Sequence, residues 1–257
     1  MTQNTQNNYI YGKNPICEIL QKTPKRVNKI YIQKNISYDN RIKRIIELAN
    51  ENKIIIQNVN LQKFSEFFEE KVNFQGVIAS VSPVEYVELS DFLEQNQNEY
   101  KKLIILDGVS DPHNFGAIIR TAAAAGFDGV LVSNHRSCPI NATVEKISSG
   151  AINHIPIIKT TSLSASIDLL KKQDFWVIAT QMEARQNYYE IDYTDMNFAL
   201  VMGSEGSGIS KTILNKADFT VKLESNFESL NVSAATAVIV YEAIRQIKIK
   251  SCTKAKK

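Results

Sequence analysis

Three short stretches of the chain place polar residues at spacings that invite chemistry. In LDGVSDPHNFGAIIRTAAAAGF, residues 106–127, an apolar run ends at Asp107 and a turn-rich loop leads into a helical pattern. Asn114 is placed to cap that helix and Gly116 permits close backbone approach. Arg120 follows Asn114 by six residues, so one helix can bring an amide and a guanidinium near a common site. The plainer reading leaves Asn114 a cap, Arg120 an ion-pair partner and the alanines packing. In FALVMGSEGSGIS, residues 198–210, an apolar strand runs into a loop holding Gly203, Gly206 and Gly208. Their order, G-x-x-G-x-G, reverses the dinucleotide fingerprint and argues against a nicotinamide-dependent oxidoreductase. Backbone donors in such a loop can still hold a ligand, and Glu205 offers a carboxylate to orient a polar or cationic group; a tight turn that needs glycine is the alternative. In SLNVSAATAVIVYEAIRQ, residues 229–246, Asn231 and Ser233 stand at the head of an apolar helix, where two small polar groups can be caps and nothing more.

The elements that must position these residues follow from periodicity. From Lys101 onward a strand at 103–106, a helix at 114–125, a strand at 130–133 and a helix at 141–150 alternate, which implies a parallel sheet covered by helices on both faces. Residues 175–180 and 198–202 are continuous apolar runs, as expected of strands buried on both faces. The last helix, 232–247, is apolar nearly all round in its first half and is expected to be buried rather than amphipathic. Upstream, GKNPICEIL and the β-branched run at 27–32 open a smaller α/β unit. Ile42, Ile45, Ile46 and Ala49 recur at helical spacing, and 54–56 and 77–81 read as strands. Pro83 and EQNQNEY at 94–100 mark a linker. The expected division is a polar disordered leader at 1–8, a small domain at 9–82, a linker at 83–100, a larger domain at 101–248 and a basic tail at 249–257.

Bulk properties narrow the class. No apolar run approaches the roughly 20 residues that span a bilayer, and the N-terminus lacks the basic start and apolar stretch of a secretory signal, so a cytoplasmic protein is expected. Cys17, Cys138 and Cys252 are too scattered for a disulfide framework, and His113, His135 and His154 show no ligand spacing, so no metal is expected. Charge is unevenly spread. Residues 1–82 hold 12 basic and 7 acidic side chains, residues 83–247 hold 13 and 20, and the last ten add five lysines. Basic ends around an acidic middle suit contact with a polyanion at the ends, or simply a solvated surface. Lys13, Lys25, Arg26, Arg41, Lys43 and Arg44 are candidate RNA contacts.

Together the three stretches resemble, in order and separation, the signature motifs of the SpoU (TrmH) family of SPOUT-class RNA ribose 2′-O-methyltransferases, closest to the RlmB type. The resemblance spans nearly all of residues 9–248, and the GKNPICEIL unit is similar to the family's substrate-binding domain, itself similar to ribosomal protein L30e. It implies an α/β methyltransferase domain with a C-terminal trefoil knot, S-adenosylmethionine as cofactor, RNA as partner and a homodimer formed through the methyltransferase domain. The implied substrate is a guanosine ribose in large-subunit (23S) ribosomal RNA; a transfer-RNA methyltransferase and a non-catalytic RNA-binding or ribosome-assembly protein are the alternatives. Residue by residue, Asn114, Arg120, Glu205, Asn231 and Ser233 fall on the family's catalytic positions. Gly203 and Leu230 fall on cofactor-binding positions, and Leu223 matches a third. There the family usually follows an aliphatic residue with proline, whereas Glu224 follows here, and the stretch to Ser229 is shorter than the family's.

Overall fold

The computed structural model describes residues 9–67, 73–95, 100–135, 137–226 and 229–254. The expected leader at 1–8, most of the polar EQNQNEY stretch and the last three residues of the tail lie outside them. In chain order the elements are β1 (Tyr9–Tyr11), α1 (Lys13–Lys22), β2 (Val27–Gln33), α2 (Asn40–Glu51), β3 (Ile55–Val59), α3 (Leu61–Ser65) and β4 (Val77–Val81). They continue with α4 (Leu89–Gln95), β5 (Lys102–Asp107), α5 (Pro112–Ala124), β6 (Gly129–Ser133), α6 (Ala142–Ile147), β7 (Ile157–Thr160), α7 (Leu163–Lys171) and β8 (Phe175–Thr180). The last are β9 (Gln186–Asn187), β10 (Asn197–Gly203), α8 (Lys211–Leu214), β11 (Phe219–Lys222) and α9 (Val232–Lys254).

The chain forms two compact units, one of residues 1–85 with 139–154, the other of 86–138 with 155–257. The first is built on a four-stranded sheet in the order β1-β4-β2-β3, with β2 and β3 parallel and the other neighbours antiparallel. Alternation along β2 sends Ile30 and Ile32 to one face, where Ile16, Ile19 and Leu20 of α1 and Ile42, Ile45 and Leu48 of α2 close a core. Asp39 starts α2 by accepting from Ile42 N at 3.0 Å. The other face is aromatic, with Tyr11, Phe64 and Ile78 buried and Tyr9, Tyr31, Phe67 and Ala142 of α6 packed around them.

The segment 139–154 thus packs in the first unit, although its sequence position set it inside the larger domain. Its anchor is polar. Arg26 reaches Glu145 Oε1 at 3.0 Å, Asn153 Oδ1 at 2.8 Å and Ser82 O at 3.1 Å, and both charged side chains are largely buried. Burial pushes the Glu145 carboxyl above its ordinary range, and the Arg26 guanidinium opposes that rise. Lys146 Nζ lies 4.1 Å above the Tyr11 ring. Gly150 has φ 87°, and a Cβ there would meet the Glu18 Cβ at 2.3 Å.

The second unit carries a seven-stranded, wholly parallel sheet in the order β7-β6-β5-β10-β8-β11-β9. Its central strands β5 and β10 are buried on both faces, as their continuous apolar sequences require. On one face Leu103, Ile105, Val177 and Val201 meet Ile167 and Leu170 of α7. On α4, Leu89 and Phe92, one helical turn apart, join that core, and Val87 bridges to Ile158, so residues 87–92 of the expected linker form part of the unit. α9 packs against α5 and β10 and has Ile239, Val240 and Ala243 buried. It is less covered than its composition predicts, with Val238 38% and Tyr241 51% exposed, and it runs on through Lys254 into the expected tail.

The strand order sets the site. The chain builds outward from β5 through β6 to β7, crosses to β8, and returns to insert β10 between β5 and β8. In a parallel sheet the carboxyl ends of strands on either side of such a switch open a crevice for ligands. Here those ends are Asp107 of β5 and Gly203 of β10, which lie in register.

Candidate functional site

From Asp107 the chain turns through Gly108, at φ 83°, to Asp111. Asp111 caps α5, accepting from His113 N at 3.2 Å and Asn114 N at 3.1 Å, and Pro112 follows at the first helical position. The cap expected of Asn114 therefore belongs to Asp111, three residues earlier, because the proline fixes where the helix can begin. This frees the Asn114 side chain. Buried at 6% exposure, it donates from Nδ2 to Glu205 Oε1 at 3.0 Å.

Asn231 closes the circuit. Its Nδ2 donates to Asn114 Oδ1 at 2.9 Å and to Glu205 Oε1 at 2.5 Å. Its Oδ1 accepts from Ser233 N at 2.9 Å, Ser233 Oγ at 2.6 Å and Ala234 N at 3.4 Å, which caps α9. The sequence left Asn231 as either cap or site residue; the structure shows it capping α9 while also joining Asn114 and Glu205. Asn114, Glu205 and Asn231 thus form a triangle joining α5, the loop after β10 and the head of α9. Because each amide oxygen accepts and each Nδ2 donates, the circuit fixes both amide orientations and holds an exposed carboxylate in one place.

The loop after β10 is self-bracing. Ser204 N donates to Gly208 O at 3.2 Å, Gly208 N returns to Ser204 O at 3.0 Å, and Ser210 N donates to Asp107 Oδ2 at 2.8 Å. A Cβ on Gly203 would lie 2.3 Å from Gly208 C and 2.5 Å from Ile209 N, so only glycine allows the loop to fold back this closely. Against it opens a cavity of about 700 Å³, within the size range of small-molecule sites. Gly203, Glu205, Leu223 and Leu230, all expected from sequence, line it. So do Thr180 at the end of β8 and residues 181–183 beyond it, together with Lys222 at the end of β11 and Glu224 beyond it. Leu230 is 47% and Met182 64% exposed there, leaving apolar surface for a flat apolar group to cover.

The fourth and fifth catalytic expectations fare differently. Ser233 enters through its bonds to Asn231. Arg120 is exposed on α5 and is not among the described residues lining the cavity. At about 100° per residue, six residues turn a helix through about 240°, so Arg120 leaves from a different side than Asn114. The loop 180–183 escaped sequence reading because its relevance depends on β8 lying beside β10, a pairing no local pattern encodes. Among the described residues no group of three or more His, Cys, Asp or Glu side chains is placed to hold a metal ion, and no helix is long and apolar enough to cross a membrane.

The sequence profile of the SpoU rRNA Methylase family matches residues 101–241, and that of RNA 2′-O ribose methyltransferase substrate binding matches residues 9–87. A TrmH family tRNA/rRNA methyltransferase of Staphylococcus aureus (strain MSSA476) is 39% identical over 241 residues, 92% of this chain and 95% of that protein. The fold is similar to that of an rRNA methyltransferase from Sinorhizobium meliloti, with TM-score 0.77 and 22% identity over 94% of this chain and 88% of the other. It is equally similar to that of the SpoU methyltransferase AviRb from Streptomyces viridochromogenes, with TM-score 0.77 and 20% identity over 94% and 90% of the two chains.

Proposed function

The chain belongs to the SpoU rRNA methylase family, and from that premise we propose that it methylates a ribose 2′-hydroxyl of RNA using S-adenosylmethionine. The substrate we assign is a guanosine of large-subunit ribosomal RNA, and the working form a homodimer through the second unit in the cytoplasm. The observation that carries the reading is the Asn114–Glu205–Asn231 triangle, whose Glu205 lines the glycine-backed cavity. A pocket of this volume with exposed Leu230 and Met182 suits a nucleoside, and the close-folded backbone at Gly203 suits a ligand held by main-chain groups. The trefoil knot belongs to the same reading, since the ends of β8, β10 and β11 and the head of α9 all converge on that cavity. Exposed Val238 and Tyr241 on α9 offer the apolar surface a dimer would cover.

When bound, the cofactor would supply an activated methyl group to the ribose hydroxyl. The chain's own residues position the nucleophile and handle one proton. Glu205, fixed by two amides, orients polar groups at the rim. We assign Arg120 to orienting the ribose and its neighbouring phosphate, with the proton leaving through it or through water; as a guanidinium it is a strong donor and a poor base. In the first unit, exposed Arg41, Lys43 and Lys25 are the candidates for RNA contact. Arg26 is withdrawn from that role by its buried bonds to Glu145 and Asn153, while Lys13 is paired to Asp39 at 2.6 Å and exposed Arg44 to Glu47 at 3.2 Å.

The test is transfer of tritiated methyl to unmodified large-subunit ribosomal RNA and, in parallel, to unmodified transfer RNA, with Arg120→Ala as control. Label on ribosomal RNA that falls at least about 100-fold in the variant supports the reading, a loss in the range expected for removing a positioned catalytic group. Label on transfer RNA alone replaces the substrate, label on neither returns the chain to a binding role, and full turnover by Arg120→Lys removes any special part for the guanidinium.

A further inference from the structure

The rim of the cavity carries one residue that neither the triangle nor the family's pattern accounts for. Glu224 lies two residues past β11, at the position where the resemblance leads one to expect proline after Leu223, and it lines the cavity. It is exposed yet braced from the neighbouring strand, because Asn187 Nδ2 donates to Glu224 Oε1 at 3.1 Å. Asn187 is itself set by its place in β9, in register with Lys222, and by its backbone N–H, which donates to Glu190 Oε2 at 2.6 Å. The Glu224 charge is felt nearby: it pushes the Tyr189 hydroxyl above its usual range.

Among the described residues, the charged side chains lining the cavity are Glu183, Glu205, Glu224 and Lys222, three carboxylates against one ammonium. Glu205 is already engaged by Asn114 and Asn231. If the cavity holds the cofactor, as proposed above, its occupant changes charge during the reaction. The sulfonium form carries one more positive charge than the thioether left when the sulfur–methyl bond breaks and the oxygen–methyl bond forms. A fixed carboxylate on the wall attracts the first form and is indifferent to the second.

We propose that Glu224, braced by Asn187, is a specificity-determining residue that makes the cavity prefer S-adenosylmethionine over S-adenosylhomocysteine, and so favours release of the spent cofactor. The preference is particular to chains with an acid here, because a proline in its place carries no charge.

Isothermal titration of the full-length protein with S-adenosylmethionine, S-adenosylhomocysteine and sinefungin, whose amine replaces the sulfonium, reads the preference directly. Glu224→Gln keeps the size and an acceptor for Asn187 but removes the charge. It should weaken S-adenosylmethionine and sinefungin by roughly three- to tenfold, the scale of one partly screened charge, and leave S-adenosylhomocysteine within about twofold. Asn187→Ala, which keeps the charge but loosens it, should give a smaller loss with the same selectivity. In the native protein the preference should shrink as salt is raised. Equal weakening of all three ligands, or of none, overturns the proposal. Failure of the native protein to bind any of them would overturn the cofactor reading itself, and this proposal with it.

Discussion

Each unit is organised around a carboxylate, and the two carboxylates are treated in opposite ways. Glu145 is buried, faces a guanidinium, and shares that partner with Asn153 and Ser82. Glu205 is exposed, faces two neutral amides, and keeps its full charge available at the mouth of a cavity. The first arrangement neutralises a charge and ties three chain segments together. The second fixes the direction of a charge without neutralising it, which is what orientation of a substrate demands. Holding a carboxylate by amides rather than by an arginine is thus the structural difference between a fastening and a site.

The comparison can be broken most forcefully at Arg26. Arg26→Ala leaves Glu145 buried and unpaired and should cost about 3–5 kcal/mol of stability in denaturant melts, while leaving cofactor affinity unchanged. The deficit should depend on pH with a definite sign. A carboxyl whose folded pKa is raised contributes stability that is fully present below its unfolded value of about 4.3 and is lost as the pH climbs through the folded value. Removing Arg26 removes the pull that opposes burial, so the window extends upward. The variant should lie closest to the native protein near pH 4 and fall away toward neutrality; a deficit constant across that range would show that Glu145 is not the group responsible.

On the second unit a smaller loss is expected from Gly203→Ala. The added methyl would meet the backbone at Gly208, so the loop must move. S-adenosylmethionine should bind roughly 10- to 100-fold more weakly, about 1.4–2.7 kcal/mol, with the circular dichroism spectrum retained. Affinity within twofold of native would mean that this close approach does not shape the ligand site.

The smallest effects sharpen the comparison within a single helix. Asp111→Ala should cost about 1 kcal/mol of stability as a lost cap and leave turnover close to native. Asn114→Ala should do the reverse, lowering turnover more than stability, because it removes one side of the triangle and no cap. If the two variants behave alike, the division of labour between cap and site is wrong.

That division also shows how far the sequence could be read. The alternation of strands and helices after Lys101 was legible because burial on both faces writes continuous apolar runs. The site residues were legible as motifs, since Asn114, Glu205, Asn231 and Ser233 are brought together as a set. What each one does was not. Asn114 has the composition of a cap, and only the proline at 112 moves that duty to Asp111. Leu89 and Phe92 sit in a stretch that read as linker, because an interval of one helical turn is too short a signal beside Pro83 and EQNQNEY. The placement of 139–154, the loop 180–183 and the brace from Asn187 to Glu224 all depend on pairings between residues distant in sequence, for which local periodicity holds no record.

The packing of residues 139–154 with the first unit carries a consequence for the order in which the protein can be made. As the chain leaves the ribosome, residues up to 85 emerge before 139–154, with Arg26 still lacking Glu145 and Asn153 and the Tyr11 ring still without Lys146. The first unit cannot complete its packing until residue 154 has emerged, by which time β5 and β6 have already been synthesised. Early closure of one domain and later closure of the next, the usual rule for chains read from one end, is replaced here by two folding reactions that overlap in time. A fragment cut at residue 85 would lack its own last fastening.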